Sequence, residues 1–138
     1  MKELQEHQQY KYFSEDGMSY KLICIDVDGT LLGENGIIPE ENILAIEQAY
    51  KKGVQVVIST GRIYSNAEQI AKRIQVKSPV IAANGAVVKD WYNGKTIFHA
   101  SFKRDEYEKL LELLSKYKLV AHFYTMDRVI AYSAIGSI

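Results

Sequence analysis

Two carboxylates stand two positions apart in Ile25-Asp26-Val27-Asp28-Gly29-Thr30, directly after the unbroken apolar run Leu22-Ile23-Cys24-Ile25. A short, β-branched run without polar alternation predicts a parallel strand covered on both faces. Two anions at the end of a buried strand are costly unless a cation sits between them. The pair therefore predicts chemistry assisted by a cation; the plainer alternative is two carboxylates capping loop N–H groups. Other reactive types carry less. Cys24 is the only cysteine and reads as a small core residue among apolar neighbours. His7, His99 and His122 share no metal-ligand spacing. Gly29 and Gly33 do not open a phosphate-binding P-loop, because no glycine-lysine-threonine sequence follows them.

The elements that must position the pair can be read onward. Gly33-Glu34-Asn35-Gly36 is a loop by composition. Pro39, Glu40 and Glu41 suit the start of a helix with Ile43, Ile46, Ala49 and Tyr50 as its buried stripe. Lys51 and Lys52 suit its last turn, and Gly53 its left-handed stop. The run Val54 to Ile58 predicts a second buried strand, parallel to the first through a βαβ crossover. Thr60 then follows the second strand as Asp26 follows the first, so both lie at the sheet edge where open α/β folds bind ligands. Its hydroxyl and nearby backbone N–H groups can donate to phosphoryl oxygens; the plainer alternative is that it simply caps the next helix. That helix carries Ala67, Ile70, Ala71 and Ile74 on one face; Ser65 and Glu68 fit a capping box, or else the turn begins nearer Arg62. Pro79 to Ala83 predicts a third parallel strand ending at Asn84-Gly85-Ala86.

Asp26-Val27-Asp28-Gly29-Thr30-Leu31-Leu32 resembles the first motif of the haloacid dehalogenase superfamily of phosphohydrolases, and Ser59-Thr60-Gly61-Arg62 the second motif of its Cof-like sugar-phosphatase branch. The resemblance runs from about Tyr20 to Asp90. It implies a partial Rossmann-like α/β core of three parallel strands with crossover helices, followed by the start of an α+β cap domain. It implies Asp26 as the nucleophile that becomes phosphorylated and Asp28 as general acid and then base. Mg²⁺ would be held by Asp26 and Asp28, and phosphate by Thr60, Gly61, Gly29, Arg62 and Asn84. Arg62 could also pair with a surface carboxylate, and Asn84 could merely form a turn. An unperturbed aspartate is ionised at neutral pH, so Asp28 as an acid needs its pKa raised by burial or a neighbouring anion. The loop after the first strand would be a flap beside the site.

After residue 85 the pattern changes. Val87 to Tyr92, Asn93-Gly94 and Lys95 to Ala100 predict a hairpin whose tight turn takes two positive φ angles from Asn-Gly. A helix bearing Tyr107, Leu110, Leu111, Leu114 and Tyr117 follows, then strands at Val120–Tyr124 and Val129–Tyr132 with a turn near Met126-Asp127. The resemblance places the cap here, giving 1–19 as a poorly ordered extension, 20–85 as core and 86–138 as the beginning of the cap. A lysine and a further acidic cluster that the family carries after its cap have no place following Tyr132. Ala134-Ile135-Gly136-Ser137-Ile138 offers no natural ending, so the chain reads as truncated and the edge of its first strand as open to association.

Composition sets the remaining bounds. A chain of 138 residues, 47% apolar and 25% charged, supports one modest globular domain. Zero net charge gives no electrostatic case for nucleic acid or an anionic membrane as partner. A single cysteine fits a reducing compartment, and with no long apolar run or signal core the expectation is cytoplasmic. The sequence thus predicts a Mg²⁺-dependent phosphohydrolase acting on a small phosphorylated metabolite. The alternative is a catalytically inactive fragment acting only in binding or association.

Overall fold

The computed structural model describes residues 20–133; the expectations for 1–19 and for Ala134–Ile138 lie outside the described residues. The apolar runs form strands β1 (Leu22–Ile25), β2 (Gln55–Ser59) and β3 (Pro79–Ala82), with helix α1 (Glu40–Lys51) in the first connection and α2 (Tyr64–Ile74) in the second. β1 pairs with β2 and β2 with β3, both in parallel, with Ile25 opposite Ile58 and Ile58 opposite Val80. The expected α/β core is present.

The expected hairpin forms as β4 (Val87–Asp90) and β5 (Thr96–His99), and it continues the same sheet in the order β1-β2-β3-β4-β5. β4 runs antiparallel to β3, with Val87 opposite Ala82. Hydrogen bonding therefore does not break at the boundary read near residue 86; the next sheet begins only after β5. Helix α3 (Arg104–Lys116) and the antiparallel pair β6 (Val120–Tyr124) and β7 (Val129–Ser133) complete the described chain. Tyr107 of α3 packs edge-on against Phe123 of β6, with ring centroids 5.2 Å apart.

The core lies on one face of the large sheet. Register puts Val56 and Ile58, Val80 and Ala82, and Val87 on the same side. There they join Ile46 of α1 and Ala67, Ile70, Ala71 and Ile74 of α2 in one buried cluster. Fully burying a valine or isoleucine of this cluster contributes roughly 1.5–3 kcal/mol. The stripe on α2 is as the sequence predicts. On α1 only Ile46 is fully buried, and Tyr50 is exposed.

Four expectations need correction. β1 is not covered on both faces: it is an edge strand, and both helices pack on the other side from Leu22 and Cys24. Leu22 is 53% exposed, and Cys24 is exposed rather than a core residue. The Asn93-Gly94 turn has positive φ only at Gly94. Asn93 instead bridges its loop, donating to Asp90 Oδ2 and accepting from Lys95 N–H. The capping box at Ser65 and Glu68 does not form. α2 begins at Tyr64, the Ser65 N–H donates to the Met126 carbonyl, and the Glu68 carboxylate is taken by the Tyr64 hydroxyl and Lys72. Among the described residues no helix is long and apolar enough to cross a membrane.

Candidate active site

β1 ends in a wide turn over Val27–Leu31, closed by bonds from Leu31 N–H to the Asp26 carbonyl (3.1 Å) and from Leu32 N–H to the Val27 carbonyl (3.0 Å). Val27 and Leu31 are buried at 0% and 2% exposure and anchor the turn in the core. The Asn42 amide of α1 donates to the Leu31 carbonyl and fixes its far end. With alternate residues anchored, Asp26 and Asp28 stand outward. Gly29 takes φ +78°, a conformation that side chains resist, and turns the chain back toward Leu31.

Asp26 makes no capping hydrogen bond, and its carboxylate has no ion-pair or hydrogen-bond partner among the described residues. This removes the plainer reading of Asp26 as a loop cap. Asp28 has a partner. Arg62, from the loop after β2, donates to it through both arms, Nε to Oδ2 at 3.0 Å and Nη2 to Oδ1 at 2.6 Å. The Arg62 guanidinium, chiefly by these hydrogen bonds, holds the Asp28 carboxyl below the usual carboxylate range. The expected upward shift is therefore not found, because Asp28 is exposed and faces a cation rather than another anion.

Thr60 is buried, at 4% exposure, and sits at the same sheet edge as Asp26, since Ile25 and Ile58 are register partners. Its Oγ1 accepts from Arg62 N–H at 3.2 Å, so it caps the loop rather than the helix. Its own hydroxyl proton has no acceptor among the described residues. The loops after β2 and β3 interlock. Asn84 N–H donates to the Thr60 carbonyl and Ala83 N–H to the Arg62 carbonyl. Ala83 and Asn84 both adopt positive φ, +49° and +54°, a costly arrangement for non-glycine residues that the interlocking bonds hold in place. Asn84 thus forms a turn, but it also touches the site. A Cβ on Gly61 would fall 2.9 Å from Asn84 Oδ1, so only glycine lets the amide lie this close.

All the residues singled out in the sequence therefore gather at one edge of the sheet: Asp26, Asp28 and Gly29 after β1, Thr60, Gly61 and Arg62 after β2, and Asn84 after β3. Sequence reasoning missed the groups that close over them. Tyr124 and Val129 of the β6–β7 pair meet Asp28 and Arg62 around one pocket. A larger cavity of about 650 Å³ runs from Gly61 and Asn84 to Phe102, His122 and Met126. The turn at Met126-Asp127 was legible, but nothing local signals that it docks on α2.

As a metal site, the donor set is two strand-end carboxylates, one of them unpartnered; no group of three or more acidic, histidine or cysteine side chains gathers among the described residues. Mg²⁺ characteristically takes one or two carboxylates and completes its shell with water and phosphate oxygens, so Asp26 fits that ion as it stands and Asp28 fits once Arg62 releases its oxygens.

A family model described as haloacid dehalogenase-like hydrolase matches residues 23–137. The chain belongs to the haloacid dehalogenase-like hydrolases. It is 34% identical over 114 residues to 5-amino-6-(5-phospho-D-ribitylamino)uracil phosphatase YcsE of Bacillus subtilis, covering 83% of this chain and 45% of that protein. Among solved structures, a haloacid dehalogenase-like hydrolase from B. subtilis superposes with a TM-score of 0.68 at 34% identity, covering 79% of this chain and 38% of that one. A haloacid dehalogenase/Cof-like hydrolase from Plasmodium vivax gives 0.59 at 33% identity, covering 74% and 38%. The membership and the Cof-like branch agree with the resemblance read from the two motifs. The chain spans less than half the length of each of these relatives.

Proposed function

We propose that this haloacid dehalogenase-like chain carries the nucleophile-bearing part of a phosphomonoester hydrolase site for a small phosphorylated metabolite. The observation that carries the reading is the free Asp26 carboxylate at the same sheet edge as the buried Thr60 hydroxyl. Asp26 and Asp28 would hold Mg²⁺, which when bound neutralises charge shared between carboxylate and phosphate. An Asp26 oxygen attacks phosphorus, forming an aspartyl-phosphate and releasing the alkoxide, which takes a proton from Asp28. Asp28 then takes a proton from water as it attacks the phosphorus, and phosphate leaves with Asp26 restored. Thr60, with its unused hydroxyl proton, donates to a phosphoryl oxygen, while Gly29, Gly61, Arg62 and Asn84 shape the phosphate's surroundings. In the arrangement seen both Asp28 oxygens accept from Arg62, so Asp28 serves as acid or as base only once Arg62 releases it.

The test is phosphate release from p-nitrophenyl phosphate with and without Mg²⁺. Turnover that needs Mg²⁺ and is lost in Asp26→Asn is the expected result; a folded chain without turnover refutes the reading for this chain. A second reading, action through association, draws on the open edge of β1, where Leu22 is 53% and Ile23 39% exposed. Light scattering that finds a monomer at high concentration counts against it.

A further inference from the structure

Asn66, Gln69 and Arg73 recur at intervals of three and four, the spacing that aligns side chains along one face of α2, and Arg62 stands in the loop two residues before that helix begins. All four line a groove of about 410 Å³ whose opposite wall is the loop after β1, at Gly36 and Ile38. The groove has an apolar floor, with Ile38 at 3% and Ile70 at 9% exposure, and no acidic side chain lines it. The cations of α2 differ in their company. Lys72, on another face, is paired with Glu68 at 2.9 Å. Arg73 has no ion-pair partner among the described residues, and neither the Asn66 nor the Gln69 amide is hydrogen-bonded there. The stripe therefore presents two amides between two guanidiniums, groups that bind phosphate oxygens in bidentate fashion. From Tyr64 to Arg73 the helix rises about 14 Å, and Arg62 lies before its first turn, so the two arginines stand at opposite ends of α2. A single phosphate would satisfy one of them only.

We propose that this groove binds a small metabolite carrying two phosphate groups, one held by Arg73 and the other by Arg62, drawing Arg62 off Asp28. Arg62 links the two places: it lines the groove, and its guanidinium donates to Asp28. An occupant with a phosphate at that end competes directly for the same guanidinium. The inference stands on the groove itself and does not require Asp26 to be a nucleophile.

The test is calorimetric titration of the Asp26→Asn chain in EDTA, with fructose 1,6-bisphosphate and inorganic phosphate as probes at matched ionic strength. The measurement needs neither turnover nor metal, so its failure is separate from failure of the hydrolase reading. The bisphosphate is expected to bind at least about tenfold tighter than phosphate, a difference of about 1.4 kcal/mol. In Arg73→Gln that ratio falls to near one, and the shift of the Arg62 Nε–H resonance on adding bisphosphate is lost. Lys51→Gln, which removes the same charge from exposed α1, leaves the ratio intact. Equal affinities for the two probes overturn the proposal, as does a ratio unchanged in Arg73→Gln or lowered equally in Lys51→Gln.

Discussion

Replacing Ile58 by alanine and, separately, Leu22 by alanine weighs the two faces of one sheet against each other. Ile58 is 1% exposed, centred between Ile25 and Val80, and packed on the face that meets α1 and α2. Truncating such a residue removes its transfer energy and leaves a cavity, which together cost about 2–5 kcal/mol. Leu22 keeps more than half its surface in water when folded. Its truncation therefore loses only part of a burial worth roughly 1.5–3 kcal/mol, about 1 kcal/mol or less. With a urea slope of about 2 kcal/mol/M, Ile58→Ala moves the unfolding midpoint down by roughly 1–2.5 M and Leu22→Ala by about 0.5 M or less. Circular dichroism at increasing urea reads both shifts. Equal losses would refute the one-sided core, because they would mean that Leu22 is covered in solution as fully as Ile58.

Three further outcomes follow from other parts of the molecule. Cys24, exposed on the open face, reacts with Ellman's reagent in native protein at a rate within about tenfold of that in urea; a thiol that reacts only after unfolding contradicts the placement. Tyr64 ionises late, its phenol pushed up to about 12 by burial first and then by the charges of Glu68 and Asp90. Because the folded state prefers the neutral phenol, its contribution to stability is whole below the ordinary phenol range and is lost as pH rises toward 12. Absorbance at the phenolate band should show a late step that Tyr64→Phe removes. Gly61→Ala drives a methyl against Asn84 Oδ1, the movable end of a side chain, so thermal stability falls by less than about 1 kcal/mol. In p-nitrophenyl phosphate hydrolysis the same variant raises KM more than it lowers kcat, and an unchanged KM would separate Asn84 from the phosphate's surroundings.

The core was legible where local pattern and packing coincide. Short apolar runs rich in β-branched residues gave β1 to β3, and the stripe Ala67, Ile70, Ala71, Ile74 is buried as its spacing demands. Asp26 and Thr60 were legible together because parallel strands align their ends. What the pattern could not carry is which face a helix chooses. Leu22 and Cys24 look as buried as Val56 in sequence, and only the placement of α1 and α2 on the same side leaves them exposed. Arg62 illustrates a different limit. It stands at the same sheet edge as Asp26 and pairs with a carboxylate, that of Asp28, 34 residues away in sequence. Glu68 failed as a cap for a similar reason: Tyr64 and Lys72, one turn to either side, claim its oxygens first.

The start of α2 carries no side-chain cap, and one of its first N–H groups is satisfied at 3.0 Å by the Met126 carbonyl from the turn between β6 and β7. The helix thus borrows its stopper from the element that roofs the site. A carbonyl from a distant turn thereby occupies the place an anion would take at the helix's positive end, which ties the first turn of α2 to the seating of β6 and β7.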